Sequence, residues 1–335
     1  MGTITEVQPD LTQLKSRIER FQSVRDNILK QVREVIVGQE EVLDQILIGL
    51  FVGGHCLITG LPGTAKTLMV RTIARTLGLV FTRIQFTPDL MPSDITGTDI
   101  IEEDPTTGHR RWTFVQGPIF AQLLMADEIN RASPRTQSAL LQAMQEHHVS
   151  VAGERYDLPH PFHVLATQNP LEQEGTYPLP EAQLDRFLMQ IDVGYPDRAA
   201  EKRILIETTG DRDITAKPVM TAEDLIATQR LVRRLPVGDQ IVEAILDLVR
   251  SARPGEGDPA ITQHIAWGPG PRAAQALMLA TRARALVDGR LSPSLDDIVA
   301  LSGPVLKHRM ALSFAARAEG ETVTNIISRL VSRLG

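Results

Sequence analysis

An α/β fold that gives way to a helical C-terminal segment is the class the sequence predicts, on three observations. A short apolar run, Cys56-Leu57-Ile58, stops at Gly60; a Gly/Pro loop follows, and Lys66-Thr67 open a helical pattern. Further short apolar runs recur at 123–126, 162–167 and 188–193, with helical patterns between them. From Asp197 onward the pattern is helical throughout.

The bulk numbers suit a globular chain. Of 335 residues, 42% are hydrophobic and only 4% aromatic, so the core must be mostly aliphatic. The net charge of −6 weighs against a constitutive nucleic-acid coat, although a basic channel built from a few loops would not show in that average. The single cysteine, Cys56, excludes an intrachain disulfide and fits a reducing compartment. Its place in an apolar run marks it as a small buried hydrophobe. No basic-then-apolar leader begins the chain, and no apolar run reaches the ~18 residues that span a bilayer. The expected location is the cytoplasm.

Taken in order, Leu11, Leu14, Ile18, Phe21, Ile28, Val32 and Val35 recur at helical steps, predicting a packing helix over 11–35. Ile36-Val37-Gly38-Gln39 interrupts it, and a second apolar helix face runs from Val42 to Leu50. Ile36 and Val37 suit either the core or contact with an adenine ring. Residues 60–67, Gly60-Leu61-Pro62-Gly63-Thr64-Ala65-Lys66-Thr67, then form a strand–loop–helix junction, and Leu68 continues the helix to Leu77. Backbone N–H groups in such a loop turn inward on phosphates, and the helix N-terminus adds its positive dipole end. Lys66 is placed to reach the β and γ phosphates, and the Thr67 hydroxyl to bind Mg²⁺. The motif's usual glycine before the lysine is here Ala65.

Val80 to Gln85 alternates like a strand. The segment 87–118 is rich in Pro, Gly, Thr and Asp and carries two ribbons, near 97–102 and 110–115, with a turn at Thr107-Gly108. Leu123 to Ala126 is an apolar strand that ends in Asp127-Glu128. It delivers Asp127 to the strand's C-terminal edge, where the carboxylate can hold a Mg²⁺ shell through water, and sets Glu128 to orient and deprotonate an attacking water. Ser133-Pro134 begins a helix to about His147 by N-cap and first-turn proline. A second hairpin lies around Gly153. The strand 162–167 leads into Asn169, a polar side chain for the ligand edge of the sheet that can hold either the γ-phosphate or the water. Arg186 stands at a helix end before the strand 188–193. Helices are expected near 197–209, 222–235, 238–252, 271–288, 295–309 and 322–334, with a loop over 253–271. Thr221–Asp224 and Ser294–Asp297 have capping-box spacing, and Arg272 falls in the first turn of a long helix. The histidines show no metal spacing, leaving Mg²⁺ as the one metal expected.

Together these motifs resemble the MoxR-type AAA+ ATPases. The likeness rests on Gly60–Thr67, Met125-Ala126-Asp127-Glu128-Ile129-Asn130-Arg131-Ala132, Ala166-Thr167-Gln168-Asn169-Pro170, Leu179 to Phe187, and Gly270-Pro271-Arg272, in order across residues 35–310. Alanine at position 65 is common in that family. The resemblance implies an AAA+ P-loop fold with a parallel five-stranded sheet, order 5-1-4-3-2, and a C-terminal all-helical lid. The domains would be 1–34, an N-terminal helix; 35–208, the nucleotide-binding core with hairpin inserts near 95–115 and 148–159; and 209–335, the lid.

By the same resemblance Lys66 and Thr67 match Walker A, Asp127 and Glu128 Walker B, Asn169 sensor 1, Arg186 the arginine finger acting on a neighbour's ATP, and Arg272 sensor 2. Ile36, Val37, Gly38 and Gln39 match the adenine-side turn. ATP and Mg²⁺ are the implied cofactors. A hexameric ring, a von Willebrand factor A (VWA) domain partner and a client protein are the implied partners. Two other readings stay open: a DNA-remodelling motor with Arg83, Arg110 and Arg111 lining its channel, and a nucleotide-dependent scaffold that hardly hydrolyses ATP.

Overall fold

The structure, a computed structural model, describes residues 11–103, 109–172, 175–209 and 214–334. In chain order its elements begin with α1 (Leu11–Arg33), α2 (Glu40–Val52), β1 (Cys56–Gly60), α3 (Lys66–Thr76), β2 (Phe81–Gln85), α4 (Pro92–Thr96), β3 (Gly97–Glu103) and β4 (Arg110–Gln116). There follow β5 (Leu123–Asp127), α5 (Pro134–Glu146), β6 (His148–Val151), β7 (Glu154–Asp157), β8 (His163–Gln168), α6 (Glu181–Leu184), β9 (Met189–Val193) and α7 (Arg198–Thr208). The rest are α8 (Ala222–Arg234), α9 (Asp239–Ser251), α10 (Pro259–Thr262), β10 (Ile265–Trp267), α11 (Pro271–Val287), α12 (Leu295–Leu306), β11 (Ala311–Leu312), α13 (Phe314–Ala318) and α14 (Val323–Val331). Two compact units emerge: residues 31–225, and the residues before Gln31 together with those from Ile226 onward.

The first unit is built on a parallel sheet in the order β2-β5-β8-β1-β9. Counting only these five strands along the chain, this is the expected order 5-1-4-3-2. All of β5 and five of the six residues of β8 are buried, as a parallel sheet covered on both faces requires. Leu57, Leu124 and Val164 from the strands meet Leu140, Leu141 and Met144 of α5, together with Phe86, Ile95 and Phe187, in one aliphatic core. Pairing aligns the strand ends. Gln85 lies opposite Asp127, Ala126 opposite Ala166, Thr59 opposite Gln168, and Gly60 opposite Val193. Every candidate loop at a strand end therefore emerges at one edge. Gly60 is required by that packing, because a Cβ there would meet Val193 O at 2.7 Å.

Both ribbons in 87–118 form, as the antiparallel pair β3–β4; the expected turn at Thr107-Gly108 lies outside the described residues. The second hairpin, β6–β7, turns on Ala152 (φ 50°) and Gly153 (φ 90°), a left-handed pair of the kind two-residue hairpin loops need. Phe114 of β4 stacks on Tyr156 of β7 with ring centroids 3.9 Å apart.

In the second unit, α9, α11, α12 and α14 bury Ile245, Leu248, Leu277, Ala280, Leu301, Val305, Ile326 and Leu330. Both expected capping boxes form, one in each unit: Thr221 N donates to Asp224 at 3.0 Å in the first, and Ser294 N to Asp297 at 2.8 Å in the second. Asp297 is 1% exposed and also takes two bonds from Arg290. Burial opposes its charge, but the Arg290 and Ser294 hydrogen bonds and the nearby Arg284 hold its pKa below the ordinary carboxylate value. This region is less purely helical than its pattern. The 253–271 stretch expected as loop contains α10, capped by Asp258, and β10, which pairs with β11. Strands of three and two residues are too short to show a period.

Two buried histidines stitch the start of the sheet. Val164 N donates to His55 Nδ1 at 2.9 Å, so His55 Nε2 is the protonated nitrogen and donates to Met144 O at 3.1 Å. His163 Nδ1 pairs with Gly54 O at 3.2 Å. Burial, with repulsion between the rings, lowers His55 to about 3; burial lowers His163 to about 4. The unfolded chain thus binds these two protons first, near the ordinary value of 6.5. Their neutral-state stability is intact above that pH and is lost as pH falls toward 4, each contributing a slope of about 1.4 kcal/mol per pH unit. The His163→Asn variant keeps a donor near Gly54 and should lose about one proton's worth of that slope in urea titrations between pH 6.5 and 4. An unchanged slope would mean that His163 is not buried neutral.

Candidate active site

The loop 60–67 runs from the end of β1 into α3. Gly63 (φ 79°) and Ala65 (φ 59°, ψ 20°) both take left-handed backbone, and Ala65 is the N-cap of α3. The requirement that makes glycine usual at this place is therefore present, and alanine meets it with strain of about 1–2 kcal/mol. Thr64 Oγ1 donates to Leu61 O at 2.8 Å. Lys66 Nζ donates to Gly60 O at 2.8 Å and Leu61 O at 2.6 Å, so the lysine lies along the loop it belongs to. Partial burial lowers the Lys66 pKa, against the attraction of Asp127 and then Glu128. Both acids act on this ammonium. Thr67 is half-buried in the first turn of α3, and Leu68 is exposed.

Asp127 is the last residue of β5 and 8% exposed. Its Oδ1 accepts from Thr167 Oγ1 at 2.5 Å, and its Oδ2 accepts from Arg83 Nε at 2.9 Å and Nη2 at 2.6 Å. Glu128 leaves the strand with φ 56°, ψ 50° and opens a 3-10 turn over Ile129–Arg131. Its N–H donates to Thr167 Oγ1 at 2.9 Å; its Oε2 accepts from Gln85 Nε2 at 2.7 Å and Arg131 Nη1 at 3.0 Å. Thr167, Gln85 and Arg131 were not singled out from the sequence. The usable signal was the alternation in β2, which puts Arg83 and Gln85 on one face.

Asn169 follows β8. Its Oδ1 accepts from Leu171 N at 3.2 Å, leaving the amide nitrogen unused among the described residues. The turn 36–39, expected on the adenine side, has Ile36 and Val37 buried at 4% and 7%, Gly38 at φ 75°, and Gln39 at φ 56° as the N-cap of α2, with Gln39 Nε2 3.4 Å from Thr64 O. Arg186 lies elsewhere. It follows α6 and leads into the start of β9, where Met189 pairs with Cys56, at the sheet edge opposite Gly60. Its guanidinium makes no ion pair among the described residues. Arg272 belongs to the other compact unit, exposed in the first turn of α11.

The donor set suits Mg²⁺. Thr67 and Asp127 offer hard oxygens, and no cluster of three His, Cys, Asp or Glu able to hold a metal occurs among the described residues. That combination fits an ion that keeps most of its ligands as water and phosphate. Of the three arginines a DNA channel would use, Arg83 pairs with Asp127, Arg110 with Glu103 and Arg111 with Glu102.

Residues 55–189 match the ATPase family associated with various cellular activities (AAA), and residues 259–330 match the AAA lid domain. The chain is 42% identical over 303 residues to chaperone MoxR1 of Mycobacterium tuberculosis, covering 90% of this chain and 79% of that one. It is 42% identical over 307 residues to the uncharacterised protein YeaC of Bacillus subtilis (91% and 92%), and 32% over 308 residues to protein MoxR of Paracoccus denitrificans (86% and 89%). The crystal structure of a candidate ATPase from Cytophaga hutchinsonii superposes with a TM-score of 0.88 at 36% identity, over 96% of this chain and 98% of that one.

The left-handed N-cap at position 65 generates a stability test. Substituting Ala65→Val places a β-branched side chain in that conformation and should lower stability by about 1–2 kcal/mol, whereas Ala65→Gly should not lower it. Urea denaturation of both variants reads the difference; equal loss in both would mean that backbone strain is not what alanine tolerates there.

Proposed function

The chain belongs to the MoxR-type AAA+ ATPases, and on that premise we propose that it hydrolyses ATP to ADP and phosphate within a ring of identical subunits. The observation that carries this reading is the meeting of Lys66, Asp127 and Glu128 at one edge of the sheet. In this reading the loop amides 60–67 and the start of α3 receive the phosphates, with Lys66 neutralising the β and γ groups. The adenine-side turn 36–39 flanks the base. Thr67 and, through water, Asp127 would hold Mg²⁺, which when bound spreads the charge of the phosphate oxygens.

Glu128 takes a proton from the water whose oxygen attacks the γ-phosphorus. The bond from that phosphorus to the bridging oxygen breaks, and ADP leaves with that oxygen. With Oε2 engaged by Gln85 and Arg131, Oε1 is the oxygen suited to accept the proton. Asn169 orients the water through its amide nitrogen. Arg186 of the neighbouring subunit compensates charge on the departing phosphoryl group, a contribution of about 10³ to 10⁵ in rate where such fingers are measured. Arg272 reports nucleotide state to the lid.

The work done is remodelling or activation of a client protein, in the cytoplasm and together with a VWA-domain partner; the likeness to a named chaperone supports the first part. No helix of the described residues is long and apolar enough to cross a membrane. The β3–β4 ribbon, with Ile101 55% and Trp112 71% exposed, is the surface we assign to client contact. The pairing of Arg83, Arg110 and Arg111 with acids disfavours the DNA-motor reading.

ATP turnover per chain, measured across protein concentration, tests the assembly. The rate should climb steeply and then saturate. Glu128→Gln should bind ATP and lose turnover, while Lys66→Ala should lose binding. Neither Lys66→Ala nor Arg186→Ala should turn over alone. Mixed, they should regain activity, because one variant lends its Arg186 to the other's intact site. Normal turnover in Glu128→Gln would refute the base assignment, and no recovery on mixing would refute the trans arginine.

A further inference from the structure

Asp127 carries a partner that the phosphate chemistry does not require. Arg83 projects from β2, an edge strand of the sheet, and gives both Nε and Nη2 to Asp127 Oδ2, at 2.9 and 2.6 Å. The same Nη2 donates to Gln85 Oε1 at 2.6 Å, which ties the guanidinium in place. Thr167 occupies the other carboxylate oxygen at 2.5 Å. The Asp127 side chain is only 11% exposed against 45% for Arg83, so the pair sits where water screens it on the arginine side alone.

A carboxylate oxygen that already accepts two charge-assisted bonds has much of its negative potential spent. Any cation drawn to Asp127 meets a fixed positive charge on the same oxygen. Phosphate-site chemistry needs that acid to hold a metal shell, whereas the geometry needs it to hold Arg83.

We infer that Arg83 is a positioning residue that competes with Mg²⁺ for Asp127 and so sets how tightly the site holds its metal, an inference that rests on the reading of Asp127 as the metal-side acid. Arg83 keeps the buried carboxylate oriented between β2 and β8. It also keeps the metal exchangeable: the metal's water shell would have to win Oδ2 from the guanidinium, or share the oxygen with it, each time the ion binds. Gln85 limits how far the arginine can swing. Lysine would not reproduce this, since a single ammonium lacks the fork that spans Asp127 and Gln85.

The test uses Mn²⁺ as a paramagnetic stand-in for Mg²⁺, its binding to the full-length protein with saturating ADP being read by electron paramagnetic resonance. Arg83→Ala should bind Mn²⁺ about tenfold more tightly than the unmodified chain, the scale of a partly exposed charge pair. Arg83→Lys should fall between them. Arg83→Gln, a shorter side chain that keeps hydrogen-bonding capacity without charge, should match alanine and guards against a merely damaged fold, because damage loosens a metal site and does not tighten it. ADP affinity with chelator present should not change. In turnover, the half-saturating metal concentration should fall by the same factor while kcat moves less. In an Asp127→Asn background, Arg83→Ala should alter nothing. Equal or weaker Mn²⁺ binding by Arg83→Ala and Arg83→Gln overturns the inference, as does an effect that persists beside Asp127→Asn. Unaltered Mn²⁺ binding by Asp127→Asn alone would instead overturn the reading of Asp127 on which the inference stands.

Discussion

A carboxylate at the end of a fully buried strand has to be compensated, and the Asp127 side chain is compensated from both neighbouring strands at once. Thr167 comes from β8 and Arg83 from β2, and the order β2-β5-β8 puts these strands on either side of β5. Apolar packing alone would tolerate other neighbours for β5; this acid would not. Register matters as much as order. A slip of one residue in β2 would carry Arg83 and Gln85 to the opposite face and leave both acids without these partners. With β1 beyond β8, the loop bearing Lys66 then opens at the same edge as the acids.

Successive residues of a strand point to opposite faces, so Asp127 and Glu128 would diverge if β5 simply continued. The left-handed backbone at Glu128 breaks that alternation and starts the 3-10 turn. Both carboxylates then act on Lys66. The lysine's own loop also depends on left-handed residues, Gly63 and Ala65. Conformations of this kind are retained where surrounding contacts over-determine them. At Glu128 those contacts are Thr167, Gln85 and Arg131, all paid out on one residue.

The aliphatic runs of the central strands and the Gly60–Thr67 loop were legible because each signal is local: a short apolar stretch, a glycine, a lysine at a helix start. The Ser294 and Thr221 caps were legible for the same reason. The sheet order came from resemblance, since no local pattern says which strand lies beside which. The partners of the acids are not legible in the sequence. Thr167 belonged to an apolar strand, and Arg83, taken alone, was one more surface cation that could equally face DNA. Only the pairing of Gln85 with Asp127 and of Ala126 with Ala166 brings these side chains together. The β10–β11 ribbon was missed because its strands are shorter than the period that would reveal them.

The position of Arg186 would give the proposed assembly a mechanical basis. The chain passes Arg186 just before β9 begins, and β9 runs parallel to β1 from Met189 beside Cys56 to Val193 beside Gly60. The Lys66 loop leaves from the far end. A five-residue strand spans about 16 Å, more than an arginine side chain covers. While the sheet stands, Arg186 is held on the side away from its own Lys66 loop. An arginine there is placed for something other than its own Lys66 loop, which suits the proposed role at the site of another copy. On the proposed reading the chemistry would report assembly directly, because the same strand that separates Arg186 from the Lys66 loop of its own chain leaves it for a neighbour's.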